Sequence, residues 1–224
     1  MRDLELNSLG SVTLSVESAG AVTLERLKLT GGVGMSVEGP VTVRDISITA
    51  SGTAIQLLSG ASLVLERAVL RGGQRGIEST LGVTVDISNT VIADTSNIAV
   101  DLANATGAMR FVTITNSGNS SSGASGLACN VYYPPGLSVT STIVWTPNTS
   151  KPPISGMCRL SSTIAGPIGV VGASNIDPMF TAQDWHLSPN SPARDMATTG
   201  PALDFEGDPR PNGTGFDIGA DETR

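Results

Sequence analysis

The stretch LERLKLTGG at residues 24–32 returns 19 positions later as VRDISITASG (43–52) and again as LERAVLRGG (65–73). Weaker echoes follow in ISNTVIADTS (87–96), FVTITNSG (111–118), TSTIVWTP (140–147) and LSSTIAGP (160–167). Their second halves align Leu29, Ile48, Leu70, Val91, Ile114, Ile143 and Ile164 in one column, with spacings of 19, 22, 21, 23, 29 and 21. This is an internal repeat of about 22 residues. The shared period predicts that all seven side chains point inward and stack.

A second column lies between these anchors: Leu14, Met35, Ile55, Ile77, Val100 and Leu127. Its segments GMSV, AIQL, GIES, AVDL and GLAC each put a small residue before alternating apolar and polar positions. Alternation with period two is the mark of strands with one buried face. A leucine-rich repeat would need a recurring Leu-x-x-Leu-x-Leu frame, and none is present. Two or three short strands per turn, joined by Gly, Ser, Asn and Asp, fit a parallel β-helix. Coils stacked at about 4.8 Å make seven of them a rod of roughly 35 Å.

Composition agrees. Hydrophobic residues make up 39% of the chain but aromatics only 4%, so the core is built from Val, Leu, Ile, Ala and Thr, small and β-branched residues that suit stacked strands. Net charge is −7, and it is unevenly placed. Residues 1–170 hold ten basic and eleven acidic residues, and residues 171–224 hold three and nine. No basic patch exists to grip a phosphate backbone, which argues against nucleic acid. No run of about 20 apolar residues could span a membrane.

The wide spacing between Ile114 and Ile143 comes from NSGNSSSGASG (116–126) and NVYYPPG (130–136). Such insertions leave a solenoid as lateral loops. Within the second, Tyr132 and Tyr133, beside Pro134 and Pro135, either pack the loop down or offer an aromatic platform for a sugar. The two cysteines, Cys129 and Cys158, are either buried thiols or a disulfide. Their separation of 29 residues is close to the length of the enlarged coil. That places them in adjacent coils, with Cα atoms within about 7 Å.

The tail reads Asp177-Pro-Met-Phe180, Asp184-Trp-His-Leu187, Ser191-Pro-Ala193, Asp195, Asp204-Phe-Glu-Gly207, Arg210-Pro211 and Asp217-Ile-Gly-Ala-Asp-Glu222. In order and spacing it resembles the closing segment of secreted bacterial β-helix proteins, and the coils resemble the pectate-lyase-like family. The resemblance implies an all-β fold: a right-handed parallel β-helix solenoid of about seven coils over residues 1–170, with a C-terminal cap over 171–224. It implies an extracellular or cell-surface protein, and it leaves activity open, since such folds serve lyases, hydrolases, adhesins and spikes.

Catalysis on a uronate needs a free base and a cation beside acids. Arg26, Arg44 and Arg67 recur at matching points, yet Glu25, Asp45 and Glu66 lie beside them, which reads as a charge stripe. Arg71, Arg75 and Arg110 are further arginines of the coils. Hydrolysis of a glycoside needs two facing carboxylates, and Glu78, Asp86, Asp94 and Asp101 are scattered. No catalytic residue is assigned. The expected role is a scaffold, adhesin or structural unit, and the alternative is a polysaccharide-active enzyme or carbohydrate-binding module. Thr113, Thr115, Thr140 and Thr142 hint at a flat Thr-ranked face but lack its regular spacing.

In the tail, Phe180, Trp185, Leu187, Phe205, Phe216 and Ile218 are expected to plug the apolar end of the last coil, as solenoid ends require. His186 is expected to be structural there. Asp204, Asp208, Asp217 and Asp221 could hold calcium, but Arg210 could satisfy an acid such as Asp217 without metal. MRDLELNSLG enters a coil with no plug of its own. Self-association, or a domain upstream, is therefore expected at the N-terminal coil, where an open strand edge invites pairing.

Overall fold

A computed structural model of the chain describes residues 2–8, 11–17, 20–117, 125–129, 136–181 and 184–224, with Arg2 described by its backbone alone. The described residues contain strands and no helix, and no helix is long and apolar enough to cross a membrane. All ladders between named strands are parallel, and they stack as a β-solenoid of about seven turns.

One sheet is made of short strands: Val12–Val16, Val33–Val37, Thr53–Leu57, Arg75–Ser79, Val100–Asp101, Leu127–Ala128 and Ile154–Ser155. The other begins with long strands, Arg2–Asn7, Val22–Gly31, Pro40–Ala50, Ser62–Arg71, Val83–Ala93 and Ala105–Thr115. It continues as the broken pairs Leu137–Thr140 with Ile143–Trp145 and Cys158–Ser161 with Ile164–Gly166.

Each long strand bends at one residue that the ladder skips. These residues are Asp3, Arg26, Asp45, Arg67, Asn89, Phe111, Ser141 and Ser162, all with φ between 45° and 55°. None is glycine, so each corner costs on the order of 1 kcal/mol. The corner divides the long strand, and each coil therefore has three faces: the short strand, the half before the corner and the half after it.

One coil shows how the core is filled. Met35 and Val37, then Val41 and Val43, then Ile46 and Ile48 all point inward and are buried. The ladder Leu14, Met35, Ile55, Ile77, Val100, Leu127 runs as the sequence predicts and extends to Ile154. The small residue before it has a steric reason. A Cβ on Gly34 or Gly76 would lie 2.3 Å from the side chain of Ile48 or Ile92, and one on Gly126 would lie 2.4 Å from Val144.

The other predicted column needs correction. The third-face register is Leu29, Ile48, Leu70, Ile92, Ile114, Val144, Ala165. Val91, Ile143 and Ile164 stand one residue off it, so they face outward, as a one-residue shift in a strand demands. They are nevertheless buried, because the tail lies over them.

The tail also differs from the expected end plug. Residues 167–176 close the last coil: Val170 and Ala173 pack against the main core, and Ser174 bridges Ile164. From residue 177 onward the chain turns back along the third face. Leu187, Ala193 and Ile218 cover Ile143 and Ile164, while Phe205 and Ala220 cover Val91 and Ala93, and Val69 and Trp185 pack at the edge of that second cluster. The tail is a lateral strap. It is pinned to the coils by Asn89 Nδ2 donating to the Leu203 carbonyl (2.9 Å), Ala220 N–H donating to Thr113 Oγ1 (2.9 Å) and Gly219 N–H donating to the Ser141 carbonyl (3.0 Å). Thr113 and Thr115 are buried and Thr142 is fully so, so they form no surface array.

Cys129 and Cys158 are joined in a disulfide with Cα atoms 5.6 Å apart, across neighbouring coils. At the opposite end Leu4, Leu6 and Leu14 are only partly buried. Among the described residues, Arg2–Asn7 and Val12–Val16 each pair on one side alone.

Candidate functional site

Polar groups converge most densely in the strap. Arg210 has a fully buried side chain, lies 3.7 Å from the Glu222 carboxylate and sits 5.0 Å over the Phe111 ring. It donates to the carbonyls of Asp217 (3.2 Å) and Gly219 (2.9 Å). Burial pulls its pKa down, against the opposing pull of Glu222, Asp204, Asp217 and Asp221.

The acids around it hold backbone. Asp217 accepts from the N–H groups of Asp195 and Thr223, both at 2.8 Å, and from the Thr223 hydroxyl. Asp204 accepts from the N–H groups of Glu206, Asp208 and Glu222. Glu222 accepts from Asn212 and Asp217, and burial pushes its pKa up. Charge-assisted bonds of this kind fix irregular chain that no sheet supports. The four acids expected to hold calcium do not meet at one point. Asp204 and Asp208 group with Glu206, Asp221 groups with His186 and Glu206, and Asp217 belongs to neither set.

His186 sits at the floor of a groove shared with Glu206, Asp208, Asp221 and Arg224, with a volume of about 310 Å³. Its Nδ1 lies 2.9 Å from Asp184 Oδ1 and its Nε2 lies 3.1 Å from Glu206 Oε2. Burial alone would lower the imidazole pKa, but these two carboxylates raise it. Burial likewise pushes Asp184 up, and hydrogen bonds from Thr181 and His186 outweigh it, so Asp184 ends below its ordinary value. Asp221 accepts the Leu187 N–H at 2.8 Å, and burial raises its pKa to about 6. His186, the chain's single histidine, and Asp221, one of the tail acids considered for calcium, are both marked in the sequence. Glu206 is not, because nothing in its local sequence marks it as facing a residue 20 positions away.

A second groove, of about 370 Å³, is lined by Trp145, Phe180, Asn116, Thr181 and Asp184, with Thr115 and Pro147 at its sides. The Trp145 indole lies directly over Gly166, where a Cβ would come within 2.1 Å of it. Asn116 is oriented by Asp94, to which its amide donates at 3.2 Å. Tyr132 and Tyr133, either loop packing or an aromatic platform from the sequence, lie outside the described residues.

The charge stripe follows the second face and its corners, and the six arginines singled out above are paired, including Arg71 on the third face and Arg75 on a short strand. Arg26 bonds Asp3, Arg44 bonds Glu66 (3.0 Å), and Arg67 bonds both Asp45 (2.6 Å) and Glu66 (2.8 Å). Arg71 pairs with Asp94, Arg75 with Glu78 (2.7 Å) and Arg110 with Asp86. The pairs run mainly from coil to coil, so they brace the stack lengthwise.

Fold and site together define a parallel β-solenoid with a lateral strap. Compared with protein-family models, with curated proteins and with solved structures, the chain finds no match.

Proposed function

We propose that the chain is a non-catalytic scaffold or adhesin-like unit of an extracellular or cell-surface protein. One observation carries this reading: Arg26, Arg44, Arg67, Arg71, Arg75 and Arg110, the coil arginines singled out as candidate bases, are engaged with acids of the coils. A base for β-elimination must instead face substrate with an open lone pair. The disulfide supports an oxidising compartment. The test is incubation of the purified chain with polygalacturonate and alginate, with and without calcium. No unsaturated oligosaccharide is expected, and calcium-dependent release would overturn the reading.

The Trp145–Phe180 groove favours a second reading, a carbohydrate-binding module, because a flat indole beside hydrogen-bonding groups suits a sugar ring. Oligosaccharides would then quench tryptophan fluorescence in the intact chain and not in Trp145→Ala. We also place self-association at Arg2–Asn7 and Val12–Val16, where strand edges and partly buried leucines meet. Light scattering at rising concentration should show growth in mass, and a constant monomer mass would remove that part of the proposal.

A further inference from the structure

A ring nitrogen of His186 and one carboxylate oxygen from each of Glu206 and Asp221 lie within 4.8 Å of one another. They come from three separate strap segments and meet in a groove open to solvent. All three atoms can offer lone pairs, and two carboxylates held this close to an imidazole call for a positive charge between them, carried by a proton or by a metal ion. The imidazole is set up to be that cation's ligand. Asp184 Oδ1 lies 2.9 Å from Nδ1, and Asp184 is itself held by the Thr181 hydroxyl (2.6 Å) and the His186 N–H (3.0 Å). A carboxylate on one ring nitrogen fixes the tautomer and presents the other, here Nε2, to the metal. Asp221 is oriented in the same way by the Leu187 N–H. Phe205, with its ring centroid 5.5 Å from that of His186, supplies an apolar wall.

A proton is the competing cation. On Nε2 it gives a single N–H bond, to Glu206, and one positive charge to stand against Asp184, Glu206 and Asp221. A divalent ion can take all three lone pairs at about 2.0–2.2 Å after small side-chain rotations. The neighbouring set Asp204, Glu206 and Asp208 is a poorer site, since the Asp204 carboxylate already accepts three N–H groups and Asp208 pairs with Arg224.

We propose that His186, Glu206 and Asp221 bind a divalent first-row transition metal, with zinc as the type ion, that ties the strap's 184–187, 204–208 and 217–222 segments together. An imidazole with two carboxylates suits zinc, cobalt or nickel, whereas calcium prefers oxygen ligands throughout. The fourth position is left to water, and the ion's role is structural.

The test uses the full chain stripped with a chelator and then titrated with zinc chloride by calorimetry. One equivalent should bind, and a tenfold excess of calcium chloride should not displace it. Cobalt chloride should give visible absorption bands that zinc abolishes. Glu206→Gln, at a half-exposed side chain, should keep the far-ultraviolet spectrum of the strands while weakening zinc binding at least tenfold. His186→Gln should remove the cobalt bands. No zinc heat in the intact chain, or unchanged zinc binding in a folded Glu206→Gln variant, overturns the proposal.

Discussion

The third face is one surface with two halves. Toward the N-terminus its outward residues are Lys28, Thr30, Ser47 and Thr49, and they meet solvent. Toward the C-terminus they are Val91, Ala93, Thr113, Ile143 and Ile164, and they are buried beneath the strap. The inward column hardly changes along the same length. The coils therefore use one side of each strand to make the rod and the other to specify where the strap lies.

Deleting residues 177–224 should break the comparison most severely. It uncovers the apolar half alone, and a contiguous apolar patch of that kind drives aggregation. Loss of soluble monomer on gel filtration is the expected result, and a well-behaved monomer would show that the strap is dispensable. Next is Ile143→Asp, which puts an unpaired charge at a fully buried site. Denaturant melts should show a loss of about 3–5 kcal/mol.

The disulfide braces the strapped half at its enlarged coil. Cys129→Ala with Cys158→Ala should lower stability by about 3–4 kcal/mol, the chain-entropy value for a loop of that size. A change below about 1 kcal/mol would mean that packing alone holds that coil. On the bare half, Arg67→Ala removes a partly exposed ion pair from the corner ladder and should cost about 1 kcal/mol. Smallest of all, Thr49→Asp makes on the bare half the kind of change Ile143→Asp makes on the covered one. It should stay within about 0.5 kcal/mol, and a larger loss would reveal that something else covers that surface.

How legible these features were depends on what each strand faces. The short-strand ladder from Leu14 to Leu127 could be read without error because its outward positions are small or polar. In FVTIT and IVW, residues on both sides of the strand are buried, so period two loses its contrast and the anchor slips by one. Val91, Ile143 and Ile164 were misplaced for that reason. The tail's closing pattern was readable as a cover, but not the surface it covers, because its contacts lie up to 114 residues away, as from Asn89 to Leu203. His186 stands out as the single histidine and Asp221 as one of the tail acids. Glu206 and Trp145 acquire meaning only when distant segments meet.

The corner column has a consequence for how such a rod can change length. Its first four residues alternate in sign: Asp3, Arg26, Asp45, Arg67. The neighbouring column alternates in the opposite phase, Glu25, Arg44, Glu66. Excising one coil, residues 26–44, would set Asp3 against Asp45 and Glu25 against Glu66, and like charges on adjacent strands repel. Excising two, residues 26–66, restores Asp3 to a position beside an arginine, Arg67. The N-terminal half of this solenoid thus has a parity: for duplication or deletion, its unit of inheritance is the pair of coils.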